Sequence, residues 1–227
     1  LIIYGGSYVS CCISDAWVLV NATAASGTPT WTPLSPAGNA PSARANHTAI
    51  YDPASNRMIV FGGYNGTAAV NDLWILTGAN DEGGAPAWVA VTPLGTPPPA
   101  RNVHTAVYDS ASNRMIVFGG ATAAGAVNDI WVLANANGLG GTPTWSQLTP
   151  AGGLPAARYY HTAVYGPASN RMIVFGGTIG ATIRMAMMAR GHEISIMRLV
   201  GATDSFIRGP FLIDGFVKGV LGGLLAL

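Results

Sequence analysis

The sequence is short of charge. Of 227 residues, 11 are Lys or Arg and 10 are Asp or Glu, 9% in all, against roughly 25% in an average soluble domain. A net charge of +1 offers a polyanion nothing to hold, so nucleic acid is not an expected partner. Cysteine is scarcer still: the two present, Cys11 and Cys12, are adjacent. A bond between chain neighbours closes a strained ring and ties no distant segments, so no disulfide framework is expected. The sequence has no Gly-x-Ser-x-Gly elbow, no paired acidic dyad and no phosphate-binding glycine loop. The usual sequence grounds for a hydrolase or a nucleotide enzyme are therefore missing. The sequence has no initiator Met or signal peptide at its start and opens in mid-pattern, so it reads as a fragment.

What the sequence has is repetition. His47–Gly63, HTAIYDPASNRMIVFGG, returns as His104–Gly120 and His161–Gly177 at a spacing of 57 residues, without insertion or deletion. A period of this length marks a repeat architecture. Leu1–Gly6 aligns with Met58–Gly63, and Asp15, Trp17 and Leu19 align with Asp72, Trp74 and Leu76, then with Asp129, Trp131 and Leu133. Trp31 aligns with Trp88 and Trp145. Each full unit holds four short strand-like runs, at about 47–52, 57–62, 72–77 and 87–92 in the first, rich in β-branched and aromatic residues and bounded by Gly, Pro and Asn. Between the first two runs, Asp52-Pro53-Ala54-Ser55-Asn56 predicts a tight hairpin, because Pro presets φ and Asn tolerates left-handed backbone.

Four antiparallel strands per repeat make a blade. The Gly62-Gly63 pair ending the second run, Trp74 and Trp88 in the third and fourth, and the leading Arg44-x-x-His47, with their copies, resemble the kelch repeat across residues 1–177. The resemblance implies an all-β fold, a partial, open kelch β-propeller of four-stranded blades set around a channel. The expected units are a partial blade over 1–36, blades over about 44–93 and 101–150, and a half blade over 158–177. A closed ring needs roughly four to eight blades, so a longer parent would carry further copies. Gly62 and Gly63 are expected where a Cβ has no room. Trp74 and Trp88 are expected between blades, and the repeated Arg and Asp are expected to tie one blade to the next.

A residue present in every repeat reads as scaffold. His47, His104 and His161 stand one per blade, beside a repeated Arg, at positions that diverge around a ring. They predict structural hydrogen bonds, and no metal or other cofactor is expected. A galactose-oxidase-like copper site, known among kelch relatives, needs a Cys-modified Tyr with further Tyr and His ligands, and no such set assembles here. No catalytic residue is expected. The varying positions, Ala45-Asn46, Asn102-Val103 and Tyr159-Tyr160, say more. In kelch relatives the residues around this Arg line one mouth of the channel and contact a peptide. The resemblance thus implies a ligand surface on Arg44, Asn46, Arg101, Asn102, Arg158, Tyr159 and Tyr160, in a non-catalytic module that binds protein or glycan. Long repeats rich in Ala, Gly and Thr resemble exported modules, which places the propeller outside the cell or on its surface.

After Gly177 the pattern stops. Thr182–Val200 has apolar residues at helical spacing, predicting an amphipathic helix. Gly209–Leu227 is mostly apolar and, as a helix, close to the length of a bilayer core. This helical tail, 178–227, is expected to touch a membrane through 205–227. Three segments, Ile183-Arg184, Glu193–Ala202 and Phe206–Gly215, resemble the FtsX-type permease of the cell-division ABC transporter. In that family the stretch is a cytoplasmic segment leading into a membrane span. The likeness implies that Glu193, Ile194, Met197 and Arg198 face an ABC ATPase subunit at the inner membrane. Arg184, Arg190, Arg198 and Arg208 precede the apolar run, and positive flanks stay in the cytoplasm. An exported propeller and such a tail do not fit one working protein, so the 177/178 junction reads as an artefact of assembly or cloning, with a genuine gene fusion as the alternative.

Overall fold

In the computed structural model of the protein, the described residues are 1–9, 11–25 and 27–177. The tail, with its expected helices, permease-like contacts and membrane segment, lies outside them. Leu1–Phe175 forms one compact unit. Its first sheet holds three strands, β1 (Ile2–Tyr8), β2 (Cys11–Val20) and β3 (Thr30–Leu34). Two four-stranded sheets follow: β4 (Thr48–Asp52), β5 (Arg57–Tyr64), β6 (Ala69–Thr77) and β7 (Ala87–Val91), then β8 (Thr105–Asp109), β9 (Arg114–Thr122), β10 (Gly125–Ala134) and β11 (Thr144–Leu148). A pair, β12 (Thr162–Gly166) and β13 (Arg171–Phe175), ends the series. Every strand pairs antiparallel with its chain neighbour. This is the four-strand blade that the repeat predicts.

The hairpins show why the repeat folds this way. Asp52 pairs with Arg57 across the turn, and Asn56 takes the left-handed conformation at φ 50°. The Asp52 carboxylate accepts the Ala54 amide at 3.2 Å and the Ser55 hydroxyl. Asp109 does the same with Ala111 and Ser112. In the third copy Gly166 stands where the others have Asp. The turn there is a 3-10 turn, Pro167–Ser169, with no side-chain cap and with Asn170 at φ 49°. Removing one carboxylate thus changes the local winding of an otherwise identical turn.

Blades pack through alternating faces. On β5, Met58 and Val60 face the first sheet, meeting Tyr4, Ala16, Val18 and Leu34. Ile59 and Phe61 face the other way, meeting Met115, Val117 and Leu133. Trp88 lies edge-on to Tyr4 with ring centroids 4.8 Å apart, and Trp145 lies 4.9 Å from Phe61. These fourth-strand tryptophans fill the space between blades, as predicted. Truncating such a buried ring costs about 3–5 kcal/mol.

The blade-to-blade ties match the expectation in part. The Arg44 side chain serves its own blade: its guanidinium donates to both oxygens of Asp72 at 2.7 Å and to the Gly62 carbonyl at 3.0 Å. Its main chain serves the preceding blade, where the Gly6 amide donates to the Arg44 carbonyl at 2.8 Å and the Arg44 amide donates to Ile13 at 3.1 Å. The pattern repeats: Gly63 donates to Arg101 and Gly120 to Arg158, while Arg101 and Arg158 donate to Val70 and Val127. The first Gly of each pair is needed for this approach. A Cβ on Gly62, at φ 64°, would lie 2.9 Å from the Arg101 carbonyl oxygen, and one on Gly5 would lie 2.7 Å from that of Arg44. A second tie does cross between blades through side chains, where Arg57 donates to the Asn137 carbonyl at 2.8 Å and the Asn137 amide to Asp52 at 2.7 Å.

No disulfide framework is expected from the sequence, and the bond present joins only the chain neighbours Cys11 and Cys12. The bond sits at the hairpin end of β2, where the two sulfurs converge. It spans two consecutive residues and links no separate strands.

Candidate functional site

The first strands of successive sheets are neighbours, β4 beside β8 and β8 beside β12. Just before each lies the segment Arg-x-x-His, so this segment forms a rim at one end of the first strands. Its repeated residues point inward. Arg44 and Arg101 are wholly buried, and their guanidinium groups are occupied by Asp72 and Asp129 in two-pronged ion pairs. Both arginines therefore brace the rim from beneath. Burial works to raise the Asp72 and Asp129 carboxyls. Hydrogen bonds from the arginine and from Trp74 or Trp131 more than offset it, holding both below the usual carboxylate range.

The histidines are scaffold too. His104 Nε2 is 2.9 Å from the Thr48 hydroxyl of the preceding blade, and His161 Nε2 is 2.8 Å from that of Thr105. Each ring also meets an aromatic edge: Tyr4 at 5.5 Å for His47, Phe61 at 5.4 Å for His104 and Phe118 at 5.2 Å for His161. Burial, then the nearby Arg charge, pushes His47 down to about 4 and His104 down to about 3. Both are neutral at physiological pH. Among the described residues the three Nδ1 atoms are buried with no well-aligned hydrogen-bond partner. In His104 and His161 it is Nε2 that shares a hydrogen bond with threonine, in a direction set by the ring tautomer. Among the described residues no group of three His, Cys, Asp or Glu could hold a metal.

The varying positions come together by a different device. Asn46, Val103 and Tyr160, equivalent in the repeat, all adopt left-handed backbone at φ 56°, 50° and 57°. The Val103 amide donates to the Asn46 carbonyl at 2.9 Å, and the Tyr160 amide donates to the Val103 carbonyl at 3.1 Å. A main-chain ladder thus runs from blade to blade along the rim. Asn46 is exposed, Val103 is buried, and Tyr160 is 60% exposed. The rings of Tyr159 and Tyr160 stand 5.4 Å apart at 62°. Asn102 is half-buried and exchanges main-chain bonds with Ala121 at 3.0 and 2.9 Å. Arg158 is half-buried, its Nε donating to the Ala156 carbonyl at 3.0 Å. Val103 escaped the sequence-level set, although it aligns with Asn46 and Tyr160 at the 57-residue period.

Three known proteins place these observations. A 46-residue stretch is 54% identical to the cell division protein FtsX of Streptococcus pneumoniae, covering 20% of this chain and 15% of that protein. The Rab9 effector protein with kelch motifs of Xenopus laevis is 24% identical over 207 residues, 67% of this chain and 54% of its own length. The leucine-zipper-like transcriptional regulator 1 homolog of Drosophila melanogaster is 31% identical over 164 residues, 67% of this chain and 15% of its own. The chain spans about half the length of the Xenopus protein and much less of the others. No helix among the described residues is long and apolar enough to cross a membrane. Residues 1–177 match the family model of the KLHDC2/KLHL20/DRC7 Kelch-repeats domain, and the chain belongs to that kelch-repeat family.

Proposed function

We propose that the chain is a non-catalytic kelch module that binds a protein or glycan surface through the rim formed by Asn46, Asn102, Val103, Tyr159 and Tyr160, beside Arg158. The observation behind this reading is the left-handed ladder. Main-chain bonds hold one rim position per blade in line, while the side chain changes from Asn to Val to Tyr. The paired tyrosines offer ring faces and hydroxyls to peptide side chains and to sugars alike. Arg44 and Arg101 contribute by fixing the rim. Peptide and glycan arrays probed with the wild-type chain and with Tyr160→Ala test the reading. A ligand retained by the wild type is expected to weaken at least about 10-fold in the variant, while Val164→Ser, another exposed site, leaves binding unchanged. Equal binding by Tyr160→Ala would remove the rim from consideration.

A second reading has its own support, the 54% identity to FtsX over 46 residues. We propose that 178–227 is a piece of an FtsX-like cell-division permease, with Glu193, Ile194, Met197 and Arg198 turned to an ABC ATPase subunit and 205–227 in contact with the membrane. One amplicon of source DNA, read from the codon for Phe175 to that for Arg184, tests whether the two readings share a gene. A continuous read joins them. A read that continues into another Asn-Asp-x-Trp strand separates them.

A further inference from the structure

Cys11 and Cys12 are not scaffold. The equivalent positions in the next two blades are Ala68-Ala69 and Gly125-Ala126, and both blades form the same hairpin without sulfur. The pair is also converged, since the two sulfurs are bonded. Both residues are half-buried, so a small reagent reaches them. Cys12 Sγ lies 3.4 Å from the Tyr64 carbonyl oxygen, which also accepts the Ala45 amide at 2.9 Å. Cys11 packs on Gly66 of the same neighbouring hairpin, where an added Cβ would come within 3.3 Å of its sulfur. The sulfurs thus stand next to the rim, one residue removed from Asn46.

We propose that this pair is a reversible dithiol site for a thiophilic trivalent ligand of the organoarsenic(III) class. The donor set selects this chemistry. Zinc wants four protein ligands in a structural site or three plus water in a catalytic one, and no third His, Cys, Asp or Glu joins the pair among the described residues. A trivalent centre that brings its own organic substituent needs two thiolates only. Entry requires reduction: a phosphine or dithiol reductant gives two electrons to the S–S bond, two protons complete the thiols, and the reductant is oxidised. The Tyr64 carbonyl is then an acceptor for the Cys12 S–H. An arsenic(III) oxide next exchanges its oxygen for the two sulfurs. Two As–S bonds form, the two thiol protons leave with the oxygen as water, and arsenic keeps its oxidation state.

The test uses the full chain, whose two cysteines are the only ones in the sequence, reduced with a phosphine and titrated with phenylarsine oxide. The proposal expects no titratable thiol before reduction and two after it. It expects one equivalent of arsenical to block both thiols against maleimide. Cys11→Ala and Cys12→Ala should each weaken capture by at least about 100-fold, the loss of chelation. Alanine is what the next blade carries at both sites, and an unchanged urea midpoint confirms that each variant folds. Capture by the wild type no tighter than by either variant would overturn the proposal, as would thiols that remain unreactive after reduction.

Discussion

The buried shell of each blade and its rim begin two residues apart. In the shell, Arg44 and Arg101 recur unchanged, each held by a carboxylate 28 residues on and by a glycine carbonyl. In the rim, positions 46, 103 and 160 hold Asn, Val and Tyr on one unchanging backbone. The difference lies in which atoms do the holding. Where side chains hold the structure, the sequence repeats. Where the main chain holds it, the side chain is released for other work.

Substitutions can break this contrast, beginning with the shell. Arg101→Ala leaves Asp129, whose side chain is 18% exposed, without its fork, and an uncompensated buried charge costs about 3–5 kcal/mol. Arg44→Ala should cost less, because Asp72 is 42% exposed and water screens it. Urea unfolding of both variants checks the order. Gly62→Ala comes next. At φ 64° the new Cβ would lie 2.9 Å from the Arg101 carbonyl, for a loss of at least about 2 kcal/mol in the same assay.

Acid should act on the shell alone. His47 and His104 are held down to about 4 and about 3, against 6.5 for a free imidazole. Above pH 6.5 both folded and unfolded chains are neutral at these sites and stability is complete. Below it the unfolded chain binds protons that the folded chain refuses. Stability then falls by up to about 1.4 kcal/mol per pH unit for each histidine, until the folded values are passed. A urea midpoint that stays level from pH 7 to 4.5 would contradict this. The rim should respond weakly and in the other direction. Val103→Asn relieves a β-branched residue of left-handed backbone and should gain about 1 kcal/mol in thermal unfolding. The smallest effect is expected for Tyr160→Ala, within about 0.5 kcal/mol, so any loss of ligand there reports contact and not folding.

The strands, hairpins and glycine pairs were legible in the sequence because the repeat states them several times over. The Asp52–Asn56 turn follows from local rules alone, whereas its 3-10 copy after Gly166 emerged only in the structure. The roles of the repeated arginines were only half legible. Spacing showed that Arg44 and Asp72 travel together, but not whether they share a blade, since partners 28 residues apart are joined by strand pairing and not by chain proximity. The Cys11–Cys12 bond leaves the expectation of no disulfide framework intact, since it joins chain neighbours and ties no distant segments. The ladder was not read from residue type: Asn46 accepts positive φ, but Val103 and Tyr160 resist it. Only the fixed period relates all three.

A ladder of N–H and C=O groups leaves selection a row of independent keys. Each duplicated repeat arrives with its key already seated against the one before it, and a single codon change resets that key without loosening its neighbours. On the proposed rim reading, recognition is combinatorial, with one symbol per blade, and lengthening the array lengthens the word without redrawing the page on which it is written.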